Sequence, residues 1–252
     1  MGRDALAIVL GRAGSKGVPG KNTRPIAGKP CAVWTIEHAM QTPGVRTVVV
    51  STDSPQLRAI AAAMDVCVVD RPDDLAGDSA TVDDAARHAM GAISHKMPWT
   101  ADPKTPVLVL YANVPVRPRD LCERALARLA ESGCDSVQSY ERVGKHHPWW
   151  MVRLDEEAGC LSPWEGEVLN HGVHRRQDLP PAYLPDGGVI AVTRQALMLE
   201  IDGSDAGPHA FFGADRRGIV SASGAVVDID EEADLVRAEA LLSSDRVSEK
   251  VT

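Results

Sequence analysis

The sequence predicts a doubly wound α/β fold built on a mostly parallel sheet, and three observations predict it. Short apolar runs alternate along the chain with stretches of helical periodicity, the pattern of strand–helix–strand units. The first run, Ala5 to Leu10, carries no charge, as a strand covered on both faces requires. A turn rich in glycine and cations follows it directly. That is the carboxyl end of a strand, where open α/β sheets bind ligands.

The elements follow in order. After the turn, Cys31 to Met40 has helical spacing, and Pro43-Gly44 ends it. Arg46 to Ser51 reads as a second strand. Ser54-Pro55 then opens a helix over Gln56 to Met64, serine as N-cap and proline in the first turn. Val66 to Val69 is a third strand. Ser79 opens a helix to about Lys96, with acids near its positive end. Val107 to Leu110, an amphipathic helix over Leu121 to Ala130, and a strand over Asp135 to Tyr140 complete the first half. The sheet resumes at Gly188 to Thr193, followed by a short helix around Ala196 to Glu200. Asp202 to Arg217 reads as a mobile loop, Ala225 to Asp230 as a last strand, and Glu231 to Leu242 as a closing helix with a polar tail.

Between about Glu141 and Gln177 the rhythm breaks. Trp149 to Leu154, an acidic turn at Asp155 to Gly159, and Cys160 to Pro163 resemble a β-hairpin. Trp149 and Trp150 make it too apolar to stand alone in water, so it packs on its own domain or in a partner subunit. The domain reading is therefore residues 1–140 and 178–245 as the α/β domain, with 141–177 as an insertion.

Composition narrows the function. The 252 residues, 44% of them hydrophobic, suit one large domain with a proper core. A net charge of −8 argues against general nucleic-acid binding, so an anionic ligand needs a focused basic pocket. Five scattered cysteines without a Cys-x-x-Cys pair read as reduced thiols of a cytoplasmic protein. No apolar run approaches membrane-spanning length, and Met1-Gly-Arg-Asp lacks a signal-peptide core.

The basic pocket is supplied by the turn itself, Arg12 to Asn22, with three glycines, three cations and Ser15 in eleven residues. Glycines allow backbone N–H groups to face a ligand, and Lys or Arg neutralises phosphate oxygens. Neither standard phosphate fingerprint fits. Gly20-Lys21 is followed by Asn22 rather than Ser or Thr, and Gly11, Gly14 and Gly17 lack the dinucleotide spacing. Near the other end, Asp228 and Asp230 lie two apart on one strand and can share a face. They suit Mg2+, a hard cation that prefers oxygen; an N-cap for the last helix is the other reading.

The loop resembles the signature of the CMP-sugar synthetases, the cytidylyltransferases that activate sialic acid and related keto-sugar acids. Their loop reads approximately Ala-Arg-Gly-Gly-Ser-Lys-Gly-(Ile/Leu)-Pro-x-Lys-Asn and then Gly-Lys-Pro. Arg12, Gly14, Ser15, Lys16, Gly17, Pro19, Lys21, Asn22 and Gly28-Lys29-Pro30 match it. Ser51-Thr52-Asp53, Arg71-Pro72 with Leu75-Ala76 and Asp78, His146-His147-Pro148, Arg176-Gln177 and Asp228-Ile-Asp230 with Asp234-Leu235 match further family motifs. The resemblance runs from Ile8 to about Leu242 and is weakest between Ala196 and Ser223.

The resemblance implies a Rossmann-like nucleotidyltransferase that joins CTP to a keto-sugar acid, using Mg2+ and working as a homodimer through an arm at 141–177. It implies phosphate contacts from Arg12, Lys16 and Lys21, and nucleotide contacts from Gly14, Ser15, Asn22, Asp53, Arg71 and Asp78. Arg71 would lie near the cytosine. It implies metal ligation by Asp228 and Asp230, a structural Asp234, and His146-His147 at the subunit junction. Tyr111, Asn113, Arg117, Arg176, Gln177 and Asp186 fall in the motifs that meet the sugar, Arg176 and Gln177 across the dimer. The chain departs from the family at two of these motifs. Leu110-Tyr111-Ala-Asn113-Val-Pro115-Val-Arg117 stands for Leu-Gln-Pro-Thr-Ser-Pro-Leu-Arg, and Leu184-Pro-Asp186-Gly for Arg-Pro-Asn-Gly. Tyr111 also occurs in the pseudaminate branch, so the resemblance does not extend to sialic acid as the acceptor. No residue stands out as a general base.

Overall fold

A computed structural model describes residues 4–14, 16–77, 80–203, 207 and 209–249. The chain runs β1 (Ala5–Leu10), β2 (Pro25–Ile26), β3 (Lys29–Pro30), α1 (Cys31–Gln41), β4 (Val45–Thr52), α2 (Pro55–Ala63), β5 (Cys67–Asp70), α3 (Val82–Ser94) and β6 (Pro106–Tyr111). It continues with α4 (Leu121–Ser132), β7 (Ser136–Arg142), β8 (Val152–Leu154), β9 (Leu161–Pro163), β10 (Tyr183–Thr193), α5 (Arg194–Leu197), β11 (Arg216–Ser221) and α6 (Glu232–Glu249).

Seven strands form one sheet in the order β11-β7-β10-β6-β1-β4-β5. Only β10 is reversed, antiparallel to β6 on one side and β7 on the other. The β1–β4, β1–β6, β4–β5 and β7–β11 pairs are parallel, as the strand–helix alternation requires. Strand β1 explains why its sequence is uniformly apolar. Ala7 and Val9 enter a core with α1, α2 and α4, while Leu6, Ile8 and Leu10 enter a second core with α3, Phe211 and Phe212. Truncating a side chain such as Ile8 to alanine costs about 2–5 kcal/mol.

Local signals act where expected. The Ser54 hydroxyl accepts from Leu57 N–H at 3.3 Å and Pro55 begins α2. Gly133, with φ of 64°, ends α4 in the left-handed region. A third apolar cluster joins the loop to the chain end, with Val18, Ile26 and Cys31 against Val227, Ile229, Ala238 and Leu242.

Three expectations need correction. The segment Asp202 to Arg217 is not simply a loop. A short 3-10 turn at Ala210–Phe212 buries both phenylalanines, and Arg216–Ser221 forms edge strand β11 beside β7. Ala225 to Asp230 forms no ladder strand; it is held by one antiparallel bridge, Val116 to Val227. Helix α6 runs to Glu249, beyond the expected Leu242.

The hairpin forms from β8 and β9, with Leu154 opposite Leu161. Its turn closes because the Asp155 carboxylate accepts from Glu157 and Ala158 N–H at 3.0 and 2.9 Å. Trp149 stacks on His171 at 4.5 Å, and Trp150 Nε1 donates to Val173 O at 3.0 Å, so both pack within the insertion itself. Its exposed apolar side chains are instead Met151, Val152, Leu154, Leu161, Trp164, Val168 and Leu169. His147, expected at a subunit junction, is buried at the base of the insertion. Its Nδ1 accepts from Trp149 N–H, so Nε2 carries the proton and donates to Pro180 O at 3.1 Å. Among the described residues no helix is long and apolar enough to cross a membrane.

Candidate active site

The loop after β1 opens into a cleft of about 380 Å3, lined on one side by Arg12, Lys16, Lys21 and Asn22. Arg71, Tyr111, Asn113 and Asp230 line it from other elements. Two side chains fix the loop. Asp53, at the end of β4, accepts from Ala13 N–H at 2.8 Å. Asn22 is buried and donates from Nδ2 to Arg12 O at 2.9 Å, leaving its Oδ1 without a partner among the described residues. Asp53 thus acts on the loop backbone. Arg71 is held from behind, its Nη2 donating to Ser51 O at 2.9 Å and its Nε to Ser51 Oγ at 3.3 Å. Ser15 and Asp78 lie outside the described residues.

Glycine is required at one loop position by close approach. A Cβ on Gly17 would stand 2.3 Å from Asp230 O, so the loop touches the Asp228–Asp230 segment backbone to backbone. Gly14 has open space around its Cβ position and carries no such demand.

The carboxylate pair is built from alternation. Val227 and Ile229 point into the third cluster, so Asp228 and Asp230 share the opposite side. Asn113 clamps the segment. It donates from Nδ2 to Asp228 Oδ1, and its backbone O accepts from Ile229 N–H at 2.9 Å. Gly187, with φ of 73°, lies close to Asp228; a Cβ there would sit 3.4 Å from Oδ2. Burial, then repulsion from Asp230, pushes the Asp228 carboxyl up to about 6. Lys21 answers that negative charge, with Nζ 2.7 Å from Asp230 Oδ1 and 2.6 Å from Ile229 O. Asp234 accepts from Asp230 and Glu231 N–H at 3.0 and 2.9 Å, a structural role at the start of α6.

Tyr111 separates this cleft from a second one of about 460 Å3, and lines both. Burial, assisted by Asp228 and Asp83, pushes its hydroxyl up to about 12, so it stays a neutral donor. The second cleft is formed by Gln138 and Tyr140 of β7, the Phe211-Phe212 turn and Arg216 of β11. Sequence reasoning missed this wall. The only two phenylalanines of the chain, adjacent to each other, were the available signal.

Four expected acceptor residues, Arg117, Arg176, Gln177 and Asp186, line neither cleft of their own chain. Arg117 is buried, donating from Nε to Gly188 O at 3.0 Å and from Nη1 to Thr35 Oγ1 at 3.2 Å, and it lines neither cleft. Its motif sits at the turn after β6, but the guanidinium turns inward to tie that turn to β10. Asp186 accepts from the Ser139 hydroxyl and from Gly188 N–H, shaping β10 rather than a cleft wall. Arg176 packs against Gly144, and neither it nor Gln177 lines a cleft of its own chain.

An open sheet with a basic loop after its first strand, facing an acidic pair near the chain end, is the architecture of the α/β nucleotidyltransferases. Two solved structures share the fold. A CMP:2-keto-3-deoxy-manno-octonic acid synthetase complexed with CTP aligns with a TM-score of 0.68 at 19% identity, over 96% of this chain and 99% of that one. A 4-diphosphocytidyl-2C-methyl-D-erythritol synthase from Anaerococcus prevotii aligns at 0.60 with 11% identity, over 95% and 99%. At these identities the likeness is one of fold.

The chain belongs to the cytidylyltransferase family, whose model matches residues 6–139, more than half of its length. A CMP-N,N'-diacetyllegionaminic acid synthase of Legionella pneumophila is 46% identical over 159 residues, 63% of this chain and 66% of that protein. An N-acylneuraminate cytidylyltransferase of Streptococcus agalactiae is 28% identical over 198 residues, 77% of this chain and 45% of that one. The chain therefore spans about half the length of that relative.

Proposed function

We propose that the protein is a cytidylyltransferase that makes a CMP-sugar and pyrophosphate from CTP and a sialic-acid-like keto-sugar acid. The observation that carries this reading is the junction of two clefts at Tyr111, one lined by the phosphate loop and the other amphipathic. CTP occupies the loop cleft, its triphosphate on Arg12, Lys16 and Lys21 and its cytosine towards Arg71. Asn22 Oδ1 offers an unused acceptor to the nucleoside. The anomeric hydroxyl of the sugar attacks the α-phosphorus in line. A phosphorus–oxygen bond to the sugar forms, the bond to pyrophosphate breaks, and the hydroxyl proton leaves to solvent. The protein contributes positioning and charge neutralisation.

Asp228 and Asp230 fit Mg2+. They are two oxygen donors on one side of a segment, already drawing a cation in the form of Lys21. Among the described residues no third carboxylate, histidine or cysteine joins them, which suits an ion that takes its remaining ligands from phosphate and water. When bound, Mg2+ supplies charge neutralisation at the triphosphate.

The exposed apolar side chains of β8, β9 and the turn after them support a homodimer formed through residues 141–177. The five unpaired cysteines suit a reducing, cytoplasmic setting. The test is pyrophosphate release with Mg2+ from CTP, UTP, ATP or GTP, each against a panel of sugar acids. Release with CTP and one class of keto-sugar acid is expected. Preference for another nucleotide, or CTP binding without release on any sugar, would overturn the reading.

A further inference from the structure

Asn113 stands where the family motif carries threonine, and it lines the loop cleft together with Asp230. Its Nδ2 donates to Asp228 Oδ1 and, at 3.3 Å, to Ile229 O. A backbone carbonyl can only accept, so these contacts fix the amide with its nitrogen towards the acidic segment. The main chain holds the same register, because Asn113 O accepts from Ile229 N–H at 2.9 Å. A substitution at 113 removes the side-chain contacts and leaves the backbone one.

The consequence falls on Asp228, whose two oxygens are not equivalent. Oδ1 is turned towards Asn113. Oδ2 has no partner among the described residues and faces Gly187, where a Cβ would sit 3.4 Å away. Asp230 is held differently. It is exposed, and its donor is Lys21, a flexible cation that a triphosphate also attracts. The neutral amide of Asn113 has no such rival, so it stays on Asp228 when nucleotide enters.

We propose that Asn113 is the positioning residue that gives the acidic pair its preference for Mg2+. This inference rests on the reading of Asp228 and Asp230 as metal carboxylates. Held through Oδ1, Asp228 offers a cation one oxygen, Oδ2. Octahedral Mg2+ takes few protein ligands and keeps waters, whereas Ca2+ accepts more oxygens and often both of one carboxylate. The amide also adds no charge, so the site does not become the denser anionic cage that suits Ca2+.

The test uses the full chain without nucleotide. Bound Mn2+ is read by electron paramagnetic resonance and displaced with Mg2+ or Ca2+, which gives each affinity apart from turnover. Asn113→Ala should weaken Mg2+ binding by about 10- to 100-fold, the usual cost of removing a partner of a metal ligand, with Ca2+ changed by no more than about twofold. Asn113→Asp, equal in size but without the donor, should also shift the preference towards Ca2+. Asn113→Thr keeps one donor and should retain part of the preference for Mg2+. Urea unfolding of each variant identifies any that does not fold, and the folded ones carry the comparison. Pyrophosphate release from CTP and a keto-sugar acid is measured on the same proteins. An unchanged preference in the donor-free variants, or an equal loss for both cations, overturns the inference; release by the parent then leaves the function intact. A shifted preference in a chain that releases no pyrophosphate upholds the role of Asn113 and overturns the proposed activity. A parent chain that leaves the Mn2+ signal unchanged overturns the metal assignment and the inference together.

Discussion

Lys21 and Asp230, 209 positions apart in the chain, meet at 2.7 Å on the cleft that both line. On the proposed reading, Lys21 and Mg2+ compete for the Asp230 carboxylate. Lys21→Met should lower kcat by about 100-fold, as expected for removing one donor to developing phosphate charge. It should also tighten Mg2+ binding in the absence of nucleotide, read by calorimetry. Unchanged Mg2+ affinity would count against Asp230 as a metal carboxylate.

Gly17 gives the second prediction. Any Cβ there meets Asp230 O at 2.3 Å, so Gly17→Ala must push the loop off the acidic segment. The expected result is about 1–3 kcal/mol of lost stability in urea unfolding, the usual cost of overpacking. Turnover should fall as well. A variant of normal stability and full activity would show that the contact is not obligatory.

Asp228 sets a pH dependence of stability. Its folded value of about 6 lies above the ordinary 3.8 because burial, and then Asp230, oppose the charge. The native protein therefore holds this proton more tightly than the unfolded chain. The ionised carboxylate costs stability above about pH 6, and that cost fades as pH falls towards 4. With EDTA present, Asp228→Asn should be more stable than the parent at pH 8, on the order of 1–3 kcal/mol, and equal to it near pH 4. A gain of the same size at both pH values would rule out the linkage.

Much of this site is legible in the sequence because it is local. The eleven-residue loop, the Asp-x-Asp pair and the alternation of elements each declare themselves within a short window. For Arg117 and Asp186 the motif gives position but not side-chain direction, and both turn towards β10. The second cleft was illegible for a different reason. Its wall comes from β7, from the Phe211-Phe212 turn and from β11, and the last two lie in a stretch whose glycines and charges resemble a loop. Edge pairing with β7 overrides that local composition.

Asp53 gives a prediction at the loop itself. Its carboxylate holds Ala13 N–H at 2.8 Å, so Asp53→Ala frees the backbone that precedes Gly14. The CTP KM should rise by about 10-fold, the scale of one charge-assisted hydrogen bond, while the sugar KM stays near its starting value. Asp53→Asn, which keeps an acceptor oxygen, should recover most of the loss.

Leu154 and Leu161 face each other on β8 and β9, and are 56% and 55% exposed. If the proposed homodimer forms through this arm, replacing both with glutamate should convert a dimer to a monomer by sedimentation without altering the far-ultraviolet spectrum. An unchanged sedimentation coefficient would place the subunit contact elsewhere.

The contact between Gly17 and Asp230 also bears on how the protein is made. The loop leaves the ribosome early, but its partner segment follows more than two hundred residues later. Strand β10, which sits between β6 and β7, is likewise late. A growing chain can assemble β1, β4, β5 and β6 well before it holds a complete acidic pair. The basic loop and the acidic pair can therefore meet only after residue 230 has been made, so shorter translation products carry the loop without its partner segment.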